Sequence, residues 1–377
     1  MEPGEVLDSR SGCGPPHSSP YRGVIVKPST EVLGKRDWNK TSPLQRTAPL
    51  RGSLVVEEDM DWKKEILATE QRIRPHVLET PLERSHYLSQ IGGAEVWLKL
   101  EHLQHTGSFK LRGAMSKLLS LSPQQLERGV IAASTGNHGM AVSYAARKLG
   151  AKATIYMKEG TLPEKVELIR SLGGATIFHG ENPVHAENKA REVSRQTGQV
   201  FISPYNDQQV IAGQGTLGVE LARQLPELDA VFISVGGGGL ISGIGSYLKA
   251  VNRKVKIVAC WPENSRVMYE CMKAGRVIEF PEQETLSDST AGGVEEGAIT
   301  LELCRSLIDE CVLVSEAAIL AAMKLILEKE RWLVEGAAAL PVAAYLQQAK
   351  DYQGKNVAIL LCGRNIPFKK LKAVLTN

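Results

Sequence analysis

The chain has 377 residues, 43% of them hydrophobic, enough for a sizeable core in one large or two ordinary domains. Its formal net charge is only +3, and no dense Lys/Arg stripe interleaves with aromatics, which excludes the electrostatic footprint of a nucleic-acid binder and leaves small molecules or proteins as partners. No apolar run is long enough to span a bilayer and the N-terminus lacks a charged-then-apolar export pattern, so no membrane association and a cytoplasmic location are expected. The six cysteines, Cys13, Cys260, Cys271, Cys304, Cys311 and Cys362, form no CxxC pair and no regular framework, which points to free thiols in a reducing compartment rather than a structural zinc.

Residues 1–55 are rich in Gly, Pro, Ser and scattered charge without an apolar period, and are expected to be a disordered N-terminal extension. From Asp61, the spacing of Trp62, Ile66, Leu67 and Ile73 predicts a helix that ends at Pro75. Residues 94–100 alternate like a strand and lead to Gly107-Ser108-Phe109-Lys110-Leu111-Arg112-Gly113-Ala114, where a turn at Thr106 and Gly107 gives way to a helical run over 110–121. A lysine held between an aromatic ring and a leucine loses hydration, so its pKa falls and its amine becomes a nucleophile capable of forming a Schiff base. A solvated lysine at a helix start is the plainer alternative.

Beyond it, β-branched runs at 130–133, 153–157, 175–178, 200–203, 230–235, 255–260, 312–314 and 357–361 read as strands. Helical patterns occupy 138–149, 163–172, 207–225, 240–251, 316–328 and 337–349. This alternation predicts an α/β fold of βαβ units, with mainly parallel sheets covered by helices on both faces. Ligands of such sheets bind at the carboxyl ends of the strands.

Three strand ends stand out. Ser134, Thr135, Gly136, Asn137, His138 and Gly139 follow the strand at 130–133, and their hydroxyls, amide and helix-start N–H groups could hold a carboxylate or phenolate oxygen, or merely cap a helix. His138 by itself is read as a hydrogen-bonded structural histidine. Gly236, Gly237, Gly238 and Gly239 stand between a strand and the helix opening near Leu240; four residues without Cβ let backbone N–H groups converge on an anion, with the helix terminus adding positive potential. No Rossmann fingerprint or Walker lysine accompanies them, so a single phosphate on a small cofactor is expected. Cys362, Gly363, Arg364 and Asn365 follow the last strand. A lysine capable of imine formation, a phosphate cup and an oxygen-binding loop together point to pyridoxal 5'-phosphate.

With these motifs in this order, the chain from about Asp61 to its end resembles the serine/threonine dehydratase and serine racemase family of fold-type II pyridoxal phosphate enzymes. The resemblance implies two open, mainly parallel twisted sheets: a large cofactor-binding domain over 56–128 and 206–377, and a small domain over 129–205 that holds the substrate carboxylate. It implies that Lys110 binds the cofactor and takes the substrate's α-proton, that Phe109 packs on the pyridine ring, and that Asn137 hydrogen-bonds the ring's 3′ oxygen. Gly236 to Gly239 and the Leu240 amide would hold the phosphate. Cys362 would stand beside the pyridine nitrogen, a weak partner that suits elimination. Ser134, Thr135, Gly136, Asn137 and His138 would grip the substrate carboxylate. The implied reaction is dehydration and deamination of a small hydroxyamino acid such as L-serine or L-threonine to a 2-oxo acid and ammonia, in a homodimer.

Several residues depart from the family pattern. Its racemases carry a serine where this chain has Thr135, so racemisation ranks second, and a catalytically silent binder that keeps the fold ranks third. Trp261 and Val267 occupy places that are acidic in metal-activated members, and neither can ligate a hard cation, so no metal is expected there. Arg364 replaces a usual glycine; it reads as an exposed cation, the alternative being a partner for a second substrate carboxylate. Glu335 matches a glutamate near the cofactor, and Asp288 lies in a loop expected to face the substrate; each could also be a carboxylate favoured by a helix dipole. The short stretch after Gly363 predicts no C-terminal regulatory domain.

Overall fold

The computed structural model describes residues 60–376, so the extension expected over 1–55 lies outside the described residues, as does Cys13. The described chain is built on two sheets. Strands β1 (Leu82–Arg84), β2 (Glu95–Lys99), β7 (Ala230–Ser234), β8 (Lys256–Pro262), β9 (Glu310–Val314) and β10 (Asn356–Leu360) form the larger one, in the order β1-β2-β10-β7-β8-β9. Strands β3 (Val130–Ala133), β4 (Ala153–Met157), β5 (Gly174–Phe178) and β6 (Val200–Phe201) form the smaller one, in the order β5-β4-β3-β6. Every pairing is parallel except β1 with β2.

Fourteen α-helices connect and cover these sheets: α1 (Trp62–Ile73), α2 (His86–Gly92), α3 (Lys110–Leu119), α4 (Pro123–Arg128), α5 (Asn137–Lys148), α6 (Pro163–Ser171), α7 (Pro183–Thr197), α8 (Gln208–Gln224), α9 (Gly239–Val251), α10 (Val267–Ala274), α11 (Ile299–Leu307), α12 (Glu316–Leu325), α13 (Gly336–Gln348) and α14 (Phe368–Thr376). Local chemistry sets several of their starts. Asp61 caps α1 by accepting from the Lys64 amide at 3.1 Å, Asp207 caps α8 by accepting from the Gln209 and Val210 amides, and Ser122 and Gln125 form a reciprocal capping box on α4. The predicted α/β alternation is the observed one, to which the structure adds the helices α2, α4, α7, α10, α11 and α14 and the strand β1. Helix α7 was invisible to apolar periodicity because only two alanines, Ala186 and Ala190, are buried on it; its signals are the Asn182 cap, Pro183 and the left-handed Gly198. Strand β1 has three residues and follows Pro81, too short to show a period. The helix expected over 316–328 is α-helical only to Leu325, then widens into a π turn over Ile326–Glu330 that ends on Arg331 at φ 63°.

Each sheet has its own core. Val231, Phe232, Val258, Ile359 and Leu360 centre the larger one, packed under Ala338, Leu340 and Val342 of α13 and Ile241 and Ile244 of α9. The smaller core joins Val130, Ala132, Ile155 and Met157 to α5, and Leu111, Met115 and Leu118 of α3 belong to it. Each of those three α3 side chains is fully buried, worth about 1.5–3 kcal/mol apiece. The helix that opens on Lys110 is thereby held to the smaller core by its apolar side, although the loop before it leaves the larger sheet.

Candidate active site

Strands β2, β10 and β7 are parallel neighbours, so their carboxyl ends open on one side of the sheet. The segments leaving β2 and β10 are sewn together there. The Phe109 amide donates to the Cys362 carbonyl at 3.1 Å, Ser108 and Gly363 form an antiparallel bridge, and the Arg364 amide donates to the Gly107 carbonyl at 3.0 Å. Gly107 has φ 73°, and a Cβ on it would sit 2.9 Å from Asn365 Oδ1, so both backbone shape and space call for glycine.

Lys110 is the first residue of α3 and is half-buried. Its Nζ donates to the Pro204 carbonyl at 2.9 Å and stands 5.2 Å from the centroid of the Phe109 ring. Burial pushes its ammonium down to about 8, with Cys362 and Glu335 pulling weakly the other way. A carbonyl is a poor counter-charge, and among the described residues Lys110 has no carboxylate within hydrogen-bonding reach, so desolvation prevails. Cys362 is buried, burial pushes its thiol up, and Ser234 Oγ donates to its Sγ at 3.6 Å; the sulfur is a neutral group at neutral pH.

The glycine segment after β7 is confined on several sides. A Cβ on Gly237 would lie 2.4 Å from the Tyr205 ring, one on Gly239 2.9 Å from Tyr205 Cα, and one on Gly236 2.9 Å from the Thr290 carbonyl oxygen. Gly238 is left-handed at φ 85° and serves as the N-cap of α9 without any side-chain cap, so the N–H groups opening α9, Leu240 among them, have no capping acceptor. Tyr205 is held in place by its hydroxyl, which accepts from the Glu295 amide at 2.8 Å.

The loop after β3 adds a second helix terminus. Ser134 Oγ accepts from the Gly136 amide at 3.2 Å, Thr135 and Gly136 are half-buried, and α5 starts at Asn137, also without a side-chain cap. His138 is buried with Nε2 donating to the Ile202 carbonyl at 2.8 Å, and burial lowers its pKa to about 3. Its ring is neutral and committed to that carbonyl. Asn137 Nδ2 donates to both carboxylate oxygens of Glu335, at 2.9 and 3.1 Å, and Asn137 Oδ1 accepts from Asn365 Nδ2 at 2.6 Å. Glu335 sits at the N-cap of α13 but its buried carboxylate does not cap that helix; it turns to Asn137, and burial raises its pKa against the pull of that amide.

The remaining predicted residues lie farther out. Asp288 is exposed and pairs with Lys370 at 3.4 Å, and Arg364 is exposed. Trp261 and Val267 are buried core residues, Trp261 stacking at a tilt on Tyr269. Among the described residues no cluster of His, Cys, Asp or Glu has metal-ligating geometry.

Four contributors had no role in the sequence: Pro204 and Tyr205, whose loop touches both Lys110 and the glycines, Asn365, and Arg112. Asn365 stands within the loop singled out after the last strand, and its side-chain partners, Thr106 and Asn137, are supplied by segments over two hundred residues away. Arg112, two residues after Lys110, is fully buried and reaches Glu101 through Nε and Nη2 (2.9 and 2.8 Å) and Glu220 through Nη1 and Nη2 (2.8 and 3.0 Å). A buried arginine next to an apolar turn was the available signal, since such a charge requires carboxylates opposite it.

These residues fit pyridoxal phosphate: a desolvated amine, a glycine segment that only Cβ-free residues can thread at a helix terminus, and a neutral thiol, all at one sheet edge. Residues 73–363 match the family model described as pyridoxal-phosphate dependent enzyme. The L-threonine ammonia-lyase of Thermotoga maritima is 39% identical over 314 residues, covering 83% of this chain and 78% of that protein. Processed threonine deaminase isoform 2 of Solanum lycopersicum superimposes with a TM-score of 0.80 at 34% identity, over 84% of this chain and 93% of that one. Maize serine racemase does so with a TM-score of 0.78 at 31% identity, over 83% and 96%. A matching family model across most of the chain, carried on this fold and this lysine, makes the protein a member of the pyridoxal-phosphate dependent enzyme family.

Proposed function

We propose that the protein is an ammonia-lyase that dehydrates and deaminates a small hydroxyamino acid, L-threonine or L-serine, to a 2-oxo acid and ammonia. The observation that carries this reading is Lys110: an amine whose pKa is lowered to about 8, held by a carbonyl rather than a carboxylate, where three adjacent strands end. When bound there, pyridoxal phosphate supplies electron withdrawal from the substrate's Cα. Lys110 anchors it and then accepts the Cα proton at Nζ, a role that a lysine ionised at ordinary pKa fills poorly.

Phe109 would flank the cofactor ring, Gly236 to Gly239 and the Leu240 amide would bind its phosphate, Asn137 its ring oxygen, and Cys362 its nitrogen. The peptides of Ser134, Thr135, Gly136, Asn137 and His138 would orient the substrate carboxylate at the start of α5, where helix N–H groups favour an anion. Loss of the Cα proton and the β-hydroxyl removes one water; hydrolysis of the resulting imine adds one back and frees ammonia. Residues 129–205 would form the small domain that carries the carboxylate loop, and 56–128 with 206–377 the larger one. The relatives named for threonine deamination support elimination over racemisation, and Thr135 agrees, since its branched side chain has fewer rotamers than serine for a second proton transfer. Asp288 would face the substrate from its loop, and Arg364 would be an exposed cation. The reading also takes the enzyme to be cytosolic, as the sequence suggests, and by family analogy a homodimer; among the described residues no helix is long and apolar enough to cross a membrane.

The test is a panel of L-serine, L-threonine and 3-hydroxyaspartate assayed for keto acid and ammonia, with chiral analysis of the remaining amino acid. Stoichiometric 2-oxo acid and ammonia from L-threonine or L-serine is the expected result. D-serine formed faster than pyruvate would make the protein a racemase, and no turnover of any substrate would make it a silent member of the family.

A further inference from the structure

The Asn137 amide is fixed by a chain of forced choices that begins at a backbone carbonyl. The two ends of an asparagine amide have nearly the same shape, so only neighbours decide which faces where. The Thr106 carbonyl can only accept, and it takes Asn365 Nδ2 at 2.9 Å. That places the NH2 group of Asn365 on this side, and its second hydrogen goes to Asn137 Oδ1 at 2.6 Å. Asn137 Nδ2 is thereby turned to Glu335, whose carboxylate also accepts from the Asn365 backbone amide at 3.2 Å. Two N–H groups thus converge on Glu335, the Asn365 amide and one Asn137 N–H shared between both oxygens, because the two oxygens of one carboxylate lie along nearly one direction from Nδ2; the second Asn137 N–H is left for a ligand. A flipped Asn137 would set carbonyl oxygen against carboxylate and NH2 against NH2.

We propose that Asn365 and Glu335 are positioning residues that hold Asn137 with its NH2 end, never its carbonyl end, available to the negatively charged ring oxygen of the cofactor. Thr106 supplies the reference direction, and it precedes the turn that launches Lys110, so the amine and the amide are set by one segment. Asn137 opens α5 behind the smaller sheet, whereas Glu335 and Asn365 flank strands and helices of the larger one. The same network therefore ties the two sheets together at the cofactor. The inference rests on the cofactor assignment, and not on which reaction follows.

The test uses the full-length holoenzyme, stripped of cofactor and titrated with pyridoxal phosphate. Asn365→Asp keeps the shape but cannot donate to Thr106 or Asn137, and Asn365→Ala removes the donor without adding charge. The expected result is a dissociation constant raised about ten-fold or more in Asn365→Asp and about three-fold or more in Asn365→Ala, the scale of one hydrogen bond to a charged group lost or reversed. The visible absorption maximum of the bound cofactor should also move in both, because it reports the ring oxygen's hydrogen bond and mere loosening of the fold would leave it in place. Parent-like affinity and an unmoved maximum in both variants would overturn the inference, as would an effect confined to Asn365→Asp, which would trace it to the added charge. If Asn365→Asp does not fold, Asn365→Ala decides alone. A parent that binds cofactor but releases no ammonia from any hydroxyamino acid would sink the proposed reaction and leave this inference standing; a parent that binds no cofactor would sink both.

Discussion

Two lysines, eleven residues apart, show how desolvation leads to opposite roles. Lys99 ends β2 fully buried, and burial lowers its pKa against the pull of Glu220 and Glu101. Its ammonium has a complete shell: the Thr80 carbonyl at 2.7 Å, Glu220 Oε2 at 2.6 Å and Gln224 Oε1 at 2.9 Å. Around it, Arg112 bridges Glu101 and Glu220, and Arg74 reaches Glu220 at 2.8 Å. Lys110 has one carbonyl and no ion-pair partner among the described residues. Desolvation acts on both; a matched carboxylate makes the first a structural cation, and its lack leaves the second with an amine that gives up its proton near neutrality. The satisfied cluster lies directly behind the unsatisfied one, since Lys110 and Arg112 share the first turn of α3.

The largest effect belongs to the unsatisfied lysine. Lys110→Ala should lose at least a thousand-fold in turnover and all visible cofactor absorbance while its melting temperature stays near that of the cofactor-free parent; turnover close to the parent's would end the comparison. The satisfied cluster should answer in stability instead. Arg112→Met leaves two buried carboxylates short of a cation and should cost about 3–5 kcal/mol in denaturant unfolding. Lys99→Met should cost less, about 1–3 kcal/mol, because Arg112 and Arg74 still cover Glu220. Equal losses in the two variants would mean that the charges are not shared in this way.

The subtlest prediction concerns pH. A lysine lowered from 10.5 to about 8 by burial binds its proton less well folded than unfolded, so between those values the unfolded chain holds more protons and stability rises with pH. Below about pH 8 the full penalty applies. Lys110→Met removes it, so in cofactor-stripped protein the variant's stability advantage over the parent should be largest at pH 7 and shrink towards pH 10. A gap that stays constant across that range would show that Lys110 is not desolvated.

Much of this was legible from residue order, because the responsible signals are local. Alternating β-branched and amphipathic runs express two periods that each element must satisfy by itself. Four glycines at a strand end, the turn at Gly107 and the apolar flanks of Lys110 mark backbone and solvation requirements that do not depend on distant partners. The same holds for the motifs of the resemblance, which brought the cofactor and the site residues with them.

What the tertiary structure alone decided is which segments meet. β10, the last strand, inserts between β2 and β7, and so sets Cys362 and Asn365 beside Lys110 and the glycines; strand order depends on pairings more than a hundred residues apart, to which local periodicity is blind. Whether Arg112, Lys99 and Glu335 are costs or supports depends on the partners that folding delivers to them. Residue order shows a lysine in an apolar turn and, more than a hundred residues later, four glycines at a strand end. The fold determined that this lysine, unlike Lys99, would find no carboxylate, and that difference in partners is what leaves its amine free to take a proton.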